Sequence, residues 1–509
     1  MDSSLSTSTL PIQHSQTLVQ RCSEDQENPS LEEKRIDVTV QDENEGGVCY
    51  PDLVNPTDEE NPPTPSLSSP PPLPPYSTKR KYTILLIVAF AGLLSPISST
   101  IYYPGLIDIQ EDLHTTEELV SATISLYVLF MGIAPLVWAS LSDTYGRRLV
   151  YIASLSLYTL ANVGCALSVN IVMLLVMRVI QACGSSSVMA VGAGTISDVF
   201  SRERRGTAMG LFFMGPLIGP VIGPIIGGYM NEYVGWRSIF YFLCGLGGAT
   251  TLVILFLLPE TFPAKRLKRL YPDITLPKKR RLSPLDSLKL LRFPTVTMTI
   301  FYVSVVYGSL YLLTTELPRV FASLYHLSSS NIGLTYLASG CGNIAGSLIG
   351  GRMTDWVARR VRKKQEGTER EGEKVPSEVR LLSAHVGSIL LPVTMIAYGW
   401  IIEKGHPLYA ALICLFFYGM GMMFVFTACS TFLVDAFPRQ SASAVSVNNF
   451  CRSIFAAVGS LLSGTAHRAL GAGILMTICA SLCILGSIFL LAIQRWGHRW
   501  PTPQQEKRG

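Results

Sequence analysis

The chain is poor in charge and has no motif typical of a hydrolase or an ATP-driven pump. Asp, Glu, Lys and Arg make up 15% of its 509 residues, against about 25% in soluble domains. Its sequence has no Walker loop, no Gly-x-Ser-x-Gly elbow and no Cys-x-x-Cys pair, and its 11 cysteines fall mostly within apolar stretches. We therefore expect neither an enzyme nor a protein that holds a cofactor, a metal or a disulfide.

The chain is instead rich in long apolar segments. Hydrophobic residues make up 48% of it, and its mean hydropathy is +0.34. A hydrocarbon core about 30 Å thick is crossed by about 20 apolar residues in a helix. Twelve such segments are expected to start near residues 83, 119, 149, 172, 206, 237, 295, 331, 382, 408, 442 and 471. This pattern predicts an all-α membrane protein that spans the lipid bilayer twelve times.

The two ends of the chain differ from the apolar part. Residues 1–80 contain 14 Asp and Glu against 5 Lys and Arg, with a Pro- and Ser-rich run before the first span. Such a segment buries too little apolar surface to fold, so we expect a disordered tail there. Residues 496–509 are expected to form a second, short tail. Because residues 1–80 lack a basic start followed by an apolar core, the first span itself is expected to direct insertion.

Basic residues are concentrated in every second loop. They occur as RR at 147–148, RERR at 202–205, KRLKR at 265–269, KKRR at 278–281, RRVRKK at 359–364 and Arg439. The positive-inside rule then predicts that both tails are cytoplasmic. Topology accounts for these basic runs, so we expect no nucleic-acid partner. The membrane is expected to be the plasma membrane, and the vacuolar membrane is compatible with the same topology.

One loop sequence occurs twice. ASLSDTYGRR (139–148) follows the second span, and GRMTDWVARR (351–360) follows the eighth. This repeat predicts two six-helix halves, residues 81–258 and 295–495, joined by a basic cytoplasmic linker, 259–294. Repeated halves predict a central cavity and alternating access. We expect a gating role for the paired loop residues, which are Asp143, Gly146, Arg147 and Arg148 in the first copy and Asp355, Arg359 and Arg360 in the second.

The fifth span contains three Gly-Pro pairs spaced four residues apart, in GPLIGPVIGPIIGG. Such a run is tolerated in a membrane helix, because neighbouring helices can satisfy the freed backbone groups. Glycines four residues apart lie on one stripe of the helix, where a second backbone can approach closely. The positions concerned are Gly215, Pro216, Gly219, Pro220, Gly223, Pro224, Gly227 and Gly228.

These motifs together resemble those of the major facilitator superfamily and, within it, the fungal twelve-spanner drug:proton antiporters. The loop signature matches residues 139–148 with Ala139 in place of the first Gly, and RVIQA (178–182) resembles the fourth-span signature with Ala182 in place of Gly. GPVIGPIIGG (219–228) matches the antiporter signature in full. IYYPGL (101–106), LPET (258–261) and residues 432–452 extend the resemblance over nearly everything outside the first tail.

The resemblance implies that the first, fourth, seventh and tenth spans line the cavity. Those spans offer as candidate substrate contacts Ser98, Ser99, Tyr102, Arg178, Gln181, Tyr307 and Tyr311. Two arginines are expected at membrane depth, Arg178 and Arg452, with Asn449 nearby in the eleventh span. An intramembrane charge is expensive and functional by default.

No acidic residue is expected at membrane depth. The candidates at or beyond the expected span ends are Asp108, Asp198, Glu232, Glu316 and Asp435. A cavity that holds Arg without a carboxylate favours an anion or a neutral polar molecule. The family resemblance implies proton antiport, for which Asp108 is the best candidate because Arg stays charged.

The sequence therefore predicts a monomeric exporter of a small organic molecule, with protons as the coupling ion and a preference for organic acids. Three alternatives stay open. They are a broad-specificity multidrug pump, a facilitative or importing carrier of the same fold, and a sensor that does not transport.

Overall fold

The first half of the molecule consists of six long helices. The structure is a computed structural model that describes residues 76–270, 284–365, 377–437 and 441–497, and every regular element in these ranges is helical. The long helices are α1 (Thr78–Thr100), α2 (Glu117–Tyr145), α3 (Arg147–Ala166), α4 (Ile171–Val199), α5 (Arg202–Val234) and α6 (Arg237–Leu257). Two short helices, Leu106–Asp112 and Pro263–Leu270, follow α1 and α6.

The second half begins with α7 (Pro294–Tyr325), α8 (Ser329–Gln365), α9 (Ala384–Glu403) and α10 (Leu408–Ala436). The helical run Ser441–Trp496 is interrupted at Gly471, where φ is 74° and ψ is 166°. Glycine adopts such a positive φ without steric cost. We name the part before Gly471 α11 and the part after it α12.

The described residues contain 11 helices that are long and apolar enough to cross a membrane, the last of which covers Ser443–Trp496. A helix of that length measures about 80 Å at about 1.5 Å per residue, which is more than two bilayer cores. The break at Gly471 makes it two spans, so the total is twelve. Each expected start lies within five residues of an observed start or of the Gly471 break. The prediction of an all-α protein with twelve spans is confirmed.

The predicted tails and the centre of the linker lie outside the described residues, which exclude 1–75, 271–283 and 498–509. The boundaries expected for these segments therefore stay predictions. The described ends of the linker are the helix Pro263–Leu270 and a 3₁₀ segment, Pro284–Arg292.

Each half is held together by close helix pairs. In the first half α1 packs against α5, α4 packs against α2 and α3, and α6 packs against α3. In the second half α7 packs against the α11–α12 run, and α10 packs against α8 and α9. The two halves meet where α2 packs against the α11–α12 run and where α5 packs against α8.

The glycines of α5 explain how it lies so close to α1. A Cβ added at Gly215, Gly219, Gly223 or Gly227 would collide with an atom of α1 or of the residue that follows it: the Ala89 carbonyl, Pro96, the Thr100 hydroxyl or the Ile101 carbonyl, respectively. One position further, a Cβ at Gly228 would lie 2.5 Å from the Ser329 carbonyl oxygen at the start of α8. The stripe therefore places α5 directly between α1 and α8.

Candidate functional site

Arg178 is the centre of a buried polar network inside the first half. Its side chain lies in α4 and is fully buried. Nη1 donates hydrogen bonds to Gln181 Oε1 at 2.7 Å and to the Ser98 carbonyl oxygen at 3.1 Å. Gln181 Nε2 donates to Asn162 Oδ1 at 2.6 Å, and the hydroxyls of Ser98 and Tyr158 are 2.7 Å apart. The network joins α1, α3 and α4.

Two aromatic rings cover the guanidinium group of Arg178. Its Cζ lies 4.6 Å from the ring centre of Tyr102 and 4.3 Å from that of Tyr127. Nε and Nη2 are buried and have no hydrogen-bond partner among the described residues. A buried charge is stable only when it is paired or hydrogen-bonded. Because the side chain has no exposed surface, the surrounding side chains close these two nitrogen atoms off in this conformation, and contact between Arg178 and substrate stays a prediction.

The second half contributes a separate arginine site. Arg452 lies about eleven residues into α11, which is about 17 Å along the helix and hence near mid-membrane. Its Cζ is 4.4 Å from the ring centre of Tyr307 and 5.3 Å from that of Phe426. The side chains of all three residues are partly exposed. No described carboxylate forms an ion pair with Arg452, so its N–H groups are open to a ligand.

Aromatic and hydroxyl side chains also form contacts between the two halves. Tyr311 of α7 is buried, and its side chain lies close to that of Ser99, which belongs to the first half. The rings of Tyr103 and Tyr336 stack with centroids 5.8 Å apart, and the Tyr336 hydroxyl donates to the Thr314 carbonyl oxygen at 2.7 Å. These contacts bring Ser99 and Tyr311 together, as candidate residues from opposite halves.

Asn449 lies where α2 crosses α11. A Cβ on Gly132 of α2 would lie 3.5 Å from the Asn449 carbonyl oxygen and 2.5 Å from the Ser453 hydroxyl oxygen. The side chain of Asn449 is partly exposed. Its contact with substrate stays a prediction.

Charged residues connect the halves at the membrane face opposite to the one where α1 begins. We call this set the opposite-face cluster; it comprises Glu117, Glu118, Glu316, Arg319 and Arg468. Arg319 Nη1 lies 3.2 Å from Glu117 Oε1 and 3.8 Å from Glu316 Oε2. Arg468 pairs with both Glu117 and Glu118. The cluster links α2 of the first half to α7 and α11 of the second.

Glu316 belongs to α7 and is largely buried in the opposite-face cluster. The sequence places this residue at or beyond the end of the seventh span, but α7 continues for nine more residues to Tyr325. The side chain of Glu316 is 9% exposed, and its Oε2 has no hydrogen-bond partner among the described residues. Glu316 lies 22 residues after Pro294, about 33 Å along the helix, whereas a hydrocarbon core is about 30 Å thick. Its place at or beyond the end of the span therefore stays a prediction.

Asp108 lies in the short helix Leu106–Asp112 at the same face and is exposed. Its Oδ2 accepts hydrogen bonds from Asn231 Nδ2 and, at 3.5 Å, from the Ser329 hydroxyl. The carboxylate of the neighbouring Glu232 accepts a hydrogen bond from the Ser330 backbone at 2.8 Å. Asp108 thus connects the end of α5 to the start of α8, and its role in proton coupling stays a prediction.

The first loop motif forms an ion-pair cluster at the face where α1 begins, which we call the N-terminal face. Arg147 Nη1 lies 2.9 Å from Asp143 Oδ1, and its Nε lies 3.0 Å from Asp198 Oδ2 at the end of α4. The Arg147 backbone N–H donates to Glu260 at 2.9 Å. Gly146 has a φ of 86°, and a Cβ there would lie 2.5 Å from Glu260 Oε2.

In the second half the arginine that pairs with the loop aspartate lies outside the repeated motif. Arg380, just before α9, lies 3.1 Å from Asp355 Oδ1 and 2.7 Å from Asp435 Oδ2 at the end of α10. Arg359 is exposed in α8, and Arg360 lies over the ring of Trp356 at 5.0 Å. The repeated loop sequence therefore indicates the matching aspartates but not the arginine that pairs with Asp355.

Sequence reasoning also missed several residues whose roles depend on tertiary contacts. Tyr127 is one residue of an apolar span, with no local feature that marks it as the ring over Arg178. Arg380 lies outside the repeated motif. Glu260 belongs to the LPET segment, which the sequence indicates only through the family resemblance.

Comparison with known proteins gives a family model and several relatives. The model described as Major Facilitator Superfamily matches residues 88–460. The MFS-type transporter penM of Penicillium rubens is 34% identical over 443 residues, covering 82% of this chain and 86% of the relative. Citrate exporter 1 of Aspergillus niger is 31% identical over 469 residues, with 85% and 89% covered. MFS antiporter QDR3 of Candida albicans is 28% identical over 553 residues, with 83% and 78% covered.

Solved structures show the same fold. A bacterial homolog of the human lysosomal transporter Spinster, in an inward-facing and unoccupied conformation, superposes with a TM-score of 0.65 at 16% identity, covering 84% of this chain and 100% of that one. The human organic anion transporter MFSD10 gives a TM-score of 0.55 at 18% identity, with 81% and 99% covered. At these identities the likeness concerns the fold alone.

Proposed function

Because the chain belongs to the Major Facilitator Superfamily, and is a membrane transporter rather than an enzyme, we propose that it exports a small organic acid or another anionic or neutral metabolite from the cytosol. Export proceeds by alternating access and is coupled to proton antiport. The substrate binds between the two halves, near Arg452 and Tyr307 in the second half and Tyr311 and Ser99 where the halves meet.

The observation that carries the substrate class is the state of Arg452. Its guanidinium is partly exposed between two aromatic rings, and no described carboxylate pairs with it. An arginine in this state attracts an anion through charge-assisted hydrogen bonds. A relative named for citrate export, at 31% identity, supports the same class.

The orientation of the protein in the membrane follows from the charge of the loops. The N-terminal face carries Arg147, Arg148 and the basic helix Pro263–Leu270. By the positive-inside rule this face is cytoplasmic, and we place the protein in the plasma membrane. The opposite-face cluster then keeps the outer side closed, so that the cavity loads from the cytosol in this conformation.

Proton coupling is supported by one relative's description as an antiporter. Asp108 stays our candidate for the coupling carboxylate, because it connects α5 to α8 across the halves through Asn231 and Ser329.

A broad-specificity drug pump is the second candidate. Tyr307 and Phe426 present ring faces to the same space as Arg452, and ring faces hold flat, uncharged molecules with little regard to their polar groups. Such a pump needs the rings but not the charge of Arg452.

The test is extracellular metabolite profiling of cells that lack the gene and are complemented with wild type, Arg452→Gln or Arg495→Gln. We expect wild type and Arg495→Gln, an exposed arginine in the same helical run, to release the same anion, and Arg452→Gln to release at least tenfold less. Release of only neutral compounds, unaffected by Arg452→Gln, would instead support the drug pump.

Coupling is tested on the compound so identified. Wild-type protein in liposomes is given an outward or an inward pH gradient, and the flux of that compound is measured. Antiport predicts flux that follows the gradient direction. Equal flux under both gradients would replace antiport by facilitated diffusion.

A further inference from the structure

A cleft of about 420 Å³ lies at the N-terminal face, beside the first ion-pair cluster. Its floor is apolar and comes from Leu149 and Ile152 of α3 and Leu255 of α6. Its wall is basic and contains Lys265, Arg266 and Arg269. The central path described above does not include any of these residues.

The sequence after α6 builds the basic wall. The short helix Pro263–Leu270 reads PAKRLKRL, in which Leu267 is buried against the protein. Lys265 and Arg269 are four residues apart and therefore lie on one face of the helix. Lys265 Nζ donates to the Tyr145 carbonyl oxygen, and the Arg266 guanidinium lies 4.1 Å from the ring centre of Tyr76. These contacts fix the helix beside α3.

The charges in the cleft do not balance. Apart from Arg266, which lies over the ring of Tyr76, the described lining contains three cations, Arg148, Lys265 and Arg269, and the single carboxylate of Glu260. Glu260 Oε1 already accepts hydrogen bonds from the Arg147 and Phe262 backbones. Arg148 donates to the Leu255 carbonyl oxygen, while its buried Nε has no described hydrogen-bond partner. The charge of the described lining therefore favours an anionic ligand.

The position of the cleft relative to the membrane gives the kind of anion. Its floor residues lie in the first turns of α3 and the last turn of α6, where the spans end. Leu149 is 52% exposed and the adjoining Phe256 is 77% exposed. In a bilayer such apolar side chains face acyl chains, and the basic wall just beyond them lies at the depth of the headgroups.

We propose that this cleft binds one anionic phospholipid. The phosphate lies among Lys265, Arg269 and the guanidinium group of Arg148, and an acyl chain follows Leu149, Ile152 and Leu255. Arginine forks and lysine ammonium groups bind phosphate oxygen atoms through charge-assisted hydrogen bonds. Topology alone requires positive charge on this side of the membrane, but it requires neither a cleft nor an apolar floor.

The test uses the purified full-length protein and native mass spectrometry with mixed micelles that contain equal amounts of palmitoyl-oleoyl phosphatidylserine and phosphatidylcholine. We expect wild type to retain one phosphatidylserine in preference to phosphatidylcholine. Lys265→Glu/Arg269→Glu should lower that retention at least tenfold, since each basic residue near a membrane surface contributes roughly a fivefold factor. Lys265→Gln/Arg269→Gln should also lower the retention of phosphatidylserine. Because this variant removes the positive charges without introducing negative ones, it controls for misfolding caused by charge reversal.

The matched control is Arg352→Glu/Lys363→Glu, which makes the same charge change on exposed residues of α8 at the same face. We expect it to retain phosphatidylserine as wild type does. Equal loss in both double variants would mean diffuse attraction and would overturn the site, as would unchanged retention in both. Displacement of the lipid by millimolar inorganic phosphate or glycerophosphoserine would identify a soluble phosphate ligand and would overturn the lipid assignment.

Discussion

Replacing Glu117 with Gln is the sharpest test of how the two halves are held together. Glu117 belongs to α2 and is the one carboxylate in the opposite-face cluster that pairs with both Arg319 of α7 and Arg468 of α11. Its side chain is 17% exposed, and that of Arg319 is 13% exposed. Glutamine keeps the size and one acceptor oxygen atom but removes the charge that both arginines contact.

The magnitude follows from this burial. Fully exposed ion pairs contribute about 0–1 kcal/mol, and removing one partner of a buried pair costs about 3–5 kcal/mol. Glu117 lies between these limits and glutamine can still accept hydrogen bonds, so we expect the closed state to lose about 1–3 kcal/mol relative to the open state. That loss corresponds to a shift of about 5- to 150-fold in the equilibrium between them.

Hydrogen–deuterium exchange of the protein in lipid nanodiscs measures this shift without a substrate. Backbone amides at the outer ends of α2 and α7 exchange when the halves part, so Glu117→Gln should speed exchange in peptides that cover residues 117–125 and 316–325. Peptides from the N-terminal face should be unaffected or exchange more slowly.

Glu118→Gln is the matched control, because among the described residues Glu118 forms an ion pair with Arg468 alone, and its side chain is 46% exposed. An exposed pair of this kind contributes at most about 1 kcal/mol, so the change in exchange should stay below about fivefold. The reasoning would be refuted by equal effects of the two substitutions, or by an effect of Glu117→Gln that spreads uniformly over all helices.

Two further substitutions test helix contacts. Gly223→Leu should abolish export while leaving membrane insertion intact, because even a Cβ would lie 2.5 Å from the Thr100 hydroxyl oxygen. The same collision should lower the stability of the protein by about 1–3 kcal/mol. Normal export by this variant would show that the glycine stripe is dispensable. Arg380→Gln should lower the melting temperature, because Asp355 and Asp435 both lose their ion-pair partner. The free energy of unfolding should fall by about 1–2 kcal/mol. An unchanged melting temperature would mean that these ion pairs contribute nothing to stability.

Much of the fold could be predicted from the sequence because its determinants are local. Runs of about 20 apolar residues give the twelve spans directly. The four-residue spacing of Gly215, Gly219, Gly223 and Gly227 gives their common face from helix geometry alone. The link between Arg178 and Gln181 is also local, since residues three apart on a helix are neighbours.

The missed features depend on contacts between distant segments or on helix length. Tyr127 covers Arg178 only because α2 packs against α4, which no pattern in either helix states. The burial of Glu316 depends on the length of α7, which continues for nine residues beyond it. The sequence offset between the two loop motifs aligns Asp355 with Asp143, but the arginine that pairs with Asp355 follows 25 positions later.

The two ion-pair clusters at the N-terminal face differ in whether the chain between the paired residues can change in length. Arg147 follows Asp143 by four positions, with Gly146 as the one residue between α2 and α3. An insertion there would pull the pair apart. Arg380 and Asp355 are separated in sequence by a segment that includes residues 366–376, so the length of a single turn does not fix the distance between their side chains. A reporter such as a fluorescent protein belongs in that segment of the second half, and not in the corresponding turn of the first.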